Sequence, residues 1–176
     1  MNSPLILQAV KEVLGQGEAL LLALEDVAYA TKVPEAFHAS IGGHYRHCLD
    51  HFCSVFDGLD GKMADYDARE RDPRIETLRD VALAKTRSLR KLADEMPESR
   101  LDRFIWARSK VSYGPENSPL AASTVGRELM FCIVHAIHHY ALMGVMCRLL
   151  GIPLQQGFGV APSTIKHQTE TARLAA

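Results

Sequence analysis

Residues 129–150 read LMFCIVHAIHHYALMGVMCRLL. No Asp, Glu, Lys or Arg interrupts this run before Arg148, and its length suits about six turns of α-helix. His135 and His139 stand four apart inside it. At about 100° per residue they lie about 40° apart around the helix and about 6 Å apart along it, so both rings can reach one ion. Arg127, Glu128 and Arg148 stand near the ends and three histidines near the middle. That pattern fits the buried helix of a bundle better than a membrane span.

Outward from this helix, Ser123 or Thr124 is placed to cap its start, and Gly151 followed by Pro153 to stop it. At the other end of the chain, Ser3-Pro4 opens a helix expected to run to about Ala28. Residues 31–39 contain Pro34 and read as a connection. Ser40 then caps a second helix whose apolar set, Ile41, Tyr45, Leu49, Phe52, Val55, Phe56 and Leu59, recurs at three- and four-residue intervals, with Gly58 and Gly61 bracketing its end. After a polar stretch, Asp72-Pro73 opens a third helix that ends near Met96-Pro97. Phe104, Trp106, Val111 and Tyr113 alternate with polar residues and predict a short extended or hairpin excursion, with a turn at residues 114–119. Four helices with short connections predict an all-α four-helix bundle over residues 1–160 as one domain. Residues 161–176 are expected to be a mobile tail.

Composition narrows the function. The chain has 176 residues, 47% hydrophobic and 23% charged, with a net charge of −1, the balance of a globular protein. No basic field favours nucleic acid or acidic lipid, so neither is expected as a partner. Cys48, Cys53, Cys132 and Cys147 form no CxxC pair and read as reduced thiols. The first residues lack the pattern of a signal peptide, and a cytoplasmic protein is expected. Bundles of this size often pair through an exposed helix stripe, so a homodimer is expected, although no heptad pattern marks the surface.

The histidines carry the chemistry. His44, His47 and His51 lie on the second helix, facing the question of which can join His135 and His139. Buried neutral rings each need a donor and an acceptor satisfied, and a shared metal satisfies several at once. Two histidines from one helix and one from another make the three-ligand arrangement with an open position that catalytic metal sites use. By periodicity His44 and His51 lie nearer the apolar face than His47. His138 should point away from the ion, toward another helix or water. Glu128 reads either as a carboxylate orienting a ligand or as a solvated acid at the helix start. Cys132, one turn before His135, reads as a buried thiol or a soft ligand. Asp50, among Arg46, Ser54 and Asp57, reads as part of a solvated face, and so does the charged run 65–79. Trp106, Tyr113 and Phe158 read as cap packing or as the lining of a pocket mouth. No phosphate loop and no Ser/Cys–His nucleophile pattern is present.

Ser40-Ile41-Gly42, a histidine seven residues after the serine, and a late helix with His-x-x-His-His together resemble the DinB/YfiT-like family of metal-dependent enzymes. The resemblance implies a four-helix bundle that holds a divalent metal with one histidine from the second helix and two from the last. Carried over, it implies His47, His135 and His139 as metal ligands. The family often follows the double histidine with Arg-Gly-Gln, where this chain has Tyr140-Ala141-Leu142. Zinc suits all-imidazole ligation, and nickel or another first-row ion fits the same set. The expected activity on a small-molecule substrate is hydrolysis, or transfer of a low-molecular-weight thiol as the resemblance implies. The alternative is a non-catalytic bundle whose metal is structural, closed by a fourth ligand such as Cys132 or His51.

Overall fold

A computed structural model describes residues 3–174, and their side chains from residue 5 onward. The Ser3 cap and the Pro4 side chain lie outside the described residues. The chain is mostly helical, with α1 (Ser3–Ala23), α2 (Asp26–Ala30), α3 (Ile41–Asp57), α4 (Pro73–Thr77), α5 (Arg79–Glu95), α6 (Val125–Leu149) and α7 (Pro162–Leu174). Strands β1 (Lys32–Val33) and β2 (Ala39–Ser40) form an antiparallel pair. β3 (Met63–Asp65), β4 (Phe104–Arg108) and β5 (Leu120–Thr124) form a second sheet, parallel between β3 and β4 and antiparallel between β4 and β5.

The long helices pack α1 on α5 and α6, and α3 on the same two. Their shared interior holds Leu14, Leu21, Tyr45, Leu49, Phe52, Leu89, Leu129, Tyr140 and Met143, all essentially inaccessible to water. Each fully buried Leu or Phe contributes about 1.5–3 kcal/mol relative to exposure, which makes this interior the main stabilising term. Two tyrosines bring polar tips into it and both are satisfied. Tyr140 donates to the Val13 carbonyl at 3.0 Å, and Tyr45 shares a 2.8 Å hydrogen bond with Thr86. By length and hydropathy α6 meets the requirements of a membrane span, with 33% of its most apolar window buried.

Three boundaries differ from expectation. The first helix does not reach Ala28 but breaks after Ala23, and α2 follows as a separate turn. Arg79, at the start of α5, donates to the Leu21 and Leu24 carbonyls at 3.2 and 2.7 Å and to Asp26 at 2.7 Å. A guanidinium distant in sequence thus satisfies the carbonyls that a continuing helix would have used. The third helix likewise divides at Leu78, whose backbone is extended. The expected excursion is a hairpin, β4–β5, widened by β3. Residues 161–176, expected as a tail, include α7, none of whose described residues is buried. The expected caps are present at α3, where Ser40 Oγ accepts from the Gly43 amide at 3.0 Å, and at α6, where Thr124 accepts from Arg127 at 3.2 Å. Asp72 caps α4 in the same way.

The second sheet fixes α3 relative to α6. β3 follows α3, β5 leads directly into α6, and β4 bridges them. Val125 and Gly126 donate to the Arg103 and Leu101 carbonyls at 3.0 and 2.8 Å, which locks the first turn of α6 onto the approach to β4. At its other end α3 lies against α4 with no room for a side chain at Gly42. A methyl there would meet the Glu76 carbonyl oxygen, and the Tyr29 ring at 2.9 Å. Gly42→Ala should therefore cost about 1–3 kcal/mol by overpacking. Urea unfolding checks this, with a lowered midpoint and an unchanged slope expected.

Candidate metal centre

Helices α3 and α6 run antiparallel and set two histidine rows against each other. His44 packs on His139, His47 on both His139 and His135, and His51 on His135. The ring centroids of His47, His135 and His139 form a nearly equilateral triangle of 4.9, 4.7 and 4.6 Å. Each ring offers one nitrogen such that the three lie within 4.8 Å of one another. The Nε2 atoms of His47 and His135 are 2.9 Å apart. Tetrahedral zinc with bonds of about 2.0–2.1 Å requires ligand nitrogens about 3.3 Å apart, so an ion would spread the His47–His135 contact slightly and draw in any pair near the 4.8 Å limit by about 1.5 Å. The donor set fits a borderline divalent metal.

His51 is the deepest of the α3 histidines, one of the two that periodicity sets nearer the apolar face, yet it stands outside this triangle of nitrogens. Its Nδ1 donates to the His47 carbonyl at 2.8 Å, which turns the ring along its own helix. His44 reaches His139 through an Nδ1–Nδ1 contact of 2.9 Å, so it can hold the orientation of that ring. His138 is exposed.

Burial, followed by the repulsion a protonated ring would meet from its neighbouring imidazoles and from Arg69, holds the His47 imidazole down to about 2. His51, His135 and His139 are each pulled to about 4, first by burial. The rings are therefore neutral at physiological pH, the form that binds metal.

The segment after β3 closes over this row. Tyr66 stacks on His51 with centroids 5.2 Å apart and donates its hydroxyl to Glu128 Oε2 at 2.6 Å. Glu128 is buried, not solvated, because β5 and this segment cover the start of α6. Its other oxygen accepts from Ser123 at 2.6 Å and Arg127 at 3.0 Å. It thus orients Tyr66, with no histidine among its hydrogen-bond partners. Cys132 lies beneath, its Sγ 3.9 Å from the Tyr66 hydroxyl, and burial pushes its thiol up to about 12. Phe131 completes an aromatic wall against Tyr66, His51 and His135.

Arg69 reaches in from the same segment and donates from Nη1 to His47 Nδ1 at 2.7 Å. Tyr66 and Arg69 belong to the run 65–79 that reads as solvated in sequence. The one available signal is Tyr66, an isolated aromatic in a polar stretch. Asp50, also expected on a solvated face, is buried and paired with Arg46 at 2.6 Å, because the end of β3 packs onto that side of α3 through Ser54 and the Asp65 carbonyl. Trp106, Tyr113 and Phe158 line no common pocket. Tyr113 is fully exposed, Trp106 packs on Phe104, and Phe158 stacks on Tyr140.

A mostly helical protein whose two facing helices gather three neutral imidazoles is suited to holding a divalent metal. The DinB superfamily profile matches residues 15–143, a span that includes all three rings, and the chain belongs to that superfamily. Over 105 residues, 60% of its length, it is 33% identical to FK506-binding protein 5 of Rhizopus delemar, and that stretch is 27% of the Rhizopus protein. No solved structure matches the chain.

The depressed histidine values predict the acid behaviour of the metal-free protein. More than about a unit above pH 6.5 these rings are neutral both folded and unfolded and contribute no pH dependence. As pH falls from 6.5 toward 4, the unfolded chain takes up protons that the folded site refuses, so stability falls. Thermal unfolding in chelator across that range should show a declining Tm, with a shallower decline for His47→Gln.

Proposed function

We propose that this protein is a divalent-metal-dependent enzyme whose ion is held by His47, His135 and His139, with remaining positions open to a small-molecule substrate. The observation that carries the reading is the convergence of three neutral imidazole nitrogens within 4.8 Å. Three neutral ligands leave the full dipositive charge on an ion, which acidifies water or a thiol and polarises a carbonyl. The reaction class is hydrolysis or transfer of a low-molecular-weight thiol. Zinc is the first candidate, with nickel or another first-row ion suited to the same donors.

What the chain's own residues do follows from their places. His44 orients His139, the His47 carbonyl holds His51 aside, and Phe131 and Tyr66 keep bulk water from one side of the site. A structural site would be closed by a fourth protein ligand. Cys132 faces Tyr66 and His51 faces a carbonyl, an arrangement that favours the open, catalytic reading. The four long helices act as a four-helix bundle that holds the two histidine rows in register. The same proposal has the protein act in the cytoplasm and as a homodimer, the pairing supported by the exposed apolar side chains of Met130, Val134, Val145 and Leu149 on α6.

Metal analysis after purification from zinc- and nickel-supplemented medium should find about one ion per chain. His135→Ala and His139→Ala should each lose it, an effect larger than the roughly 10–100-fold that loss of an outer partner costs. His138→Ala should retain it. Wild-type protein free of stoichiometric metal would sink the proposal.

A further inference from the structure

We propose that Arg69 is an anion-binding arm of this site and that the substrate carries a carboxylate next to the atom presented to the ion. The inference rests on His47 being a metal ligand. Three observations lead to it.

The position of Arg69 is set by the backbone around it. Asp65 Oδ1 accepts from the amides of Asp67 and Ala68 at 3.0 and 3.1 Å, and Asp67 Oδ1 accepts from the Lys110 amide at 2.9 Å. The segment is therefore held whether or not Arg69 makes a bond of its own.

Arg69 is half-buried, yet among the described residues it forms no ion pair, and its Nε is buried without a partner. Asp67 also keeps one buried oxygen, Oδ2, without a partner and makes no ion pair with Arg69, while the other charged groups nearby are paired. Arg46 holds Asp50 and Glu76, Arg74 holds Asp72, and Arg108 holds Asp65. The contact of Arg69 with His51 Nδ1 at 3.5 Å is no hydrogen bond, since that nitrogen already donates to a carbonyl. Its one good acceptor is His47 Nδ1.

That bond and metal ligation exclude each other. A guanidinium only donates, so Nδ1 must offer its lone pair and the neutral ring carries its proton on Nε2. Nε2 is the atom aimed at His135, where an ion would sit, and ligation there moves the proton to Nδ1. A loaded site would therefore strip Arg69 of its acceptor and leave a planar, two-pronged cation beside a dipositive ion. A carboxylate is the group whose geometry and charge satisfy that fork.

The test uses the cobalt-loaded full chain, whose visible spectrum reports thiol binding, and two probes of similar size, 3-mercaptopropionate and 2-mercaptoethanol. Wild type should favour the carboxylate probe, and Arg69→Gln should lower that preference about tenfold while taking up cobalt as well as wild type or better. Arg69→Lys, which keeps the charge without the fork, should fall between, and it carries the comparison if the glutamine variant fails to fold. An unchanged preference would overturn the proposal. So would a folded Arg69→Gln that takes up no cobalt, since Arg69 would then be a support for His47. Wild type that takes up no cobalt would instead overturn the metal reading, and this inference with it.

Discussion

Uncharged imidazoles packed between two apolar helices are the constraint on which this structure depends. A histidine row can be buried only if its rings stay neutral and find partners, because a charged ring in that setting pays the full cost of desolvation. Antiparallel packing of α3 on α6 meets the first condition through burial and the second by turning each row toward the other. The His47 ring lies within 5 Å of both His135 and His139 because residues three and four apart on each helix project to the same side. A parallel arrangement would reverse the pairing and carry His44 away from His139.

The remaining architecture serves that register. A helix pair alone could slide by a turn, which would replace His135 by Phe131 or His139 opposite His47. The small sheet prevents this, since β3 extends from the end of α3 and β5 runs without a break into α6. Strand pairing fixes both at one end, and a slip of either helix would break ladder hydrogen bonds. The same sheet delivers the segment with Tyr66 and Arg69 back over the histidines. Glu128 ties that segment to α6 through the Tyr66 hydroxyl, so the cover of the site and its most apolar helix share one buried carboxylate.

Much of this is legible in the sequence, and what is not has a physical reason. The caps at Ser40 and Thr124 and the stops at Gly58 and Gly151 are local signals, and local signals set helix ends where nothing distant competes. At Ala23 something distant does compete: Arg79 binds the Leu21 and Leu24 carbonyls on either side of the break across more than fifty residues, and no short window of sequence contains both partners. The pairing of His135 with His139 follows from spacing alone. A choice among His44, His47 and His51 does not, because periodicity ranks residues by depth, whereas the three rings meet at the half-buried seam between helices. Periodicity favours His44 and His51, but His51 is turned aside by a backbone carbonyl and His44 meets His139 from outside the triangle. Asp50 reads as solvated, and Glu128 admits that reading beside one as an orienting carboxylate, because charge in sequence ordinarily marks a surface; both are covered by a segment whose path depends on a parallel strand pairing with β4.

A site assembled in this way links acid sensitivity to its chemistry. Without an ion the rings satisfy one another in chains: Arg69 donates to His47, and His47 in turn to His135. Every ring nitrogen engaged in such a chain must adopt one tautomer, so a change at one end propagates to the other. Binding of a metal would replace these mutual contacts by bonds to a common centre and reset the tautomers, with the freed N–H groups turning to outer partners. Metal uptake and stability would then be coupled, since an ion that binds only the folded arrangement stabilises it by mass action. The desolvation that weakens the metal-free protein in acid is the same property that keeps the three imidazoles available as ligands at neutral pH.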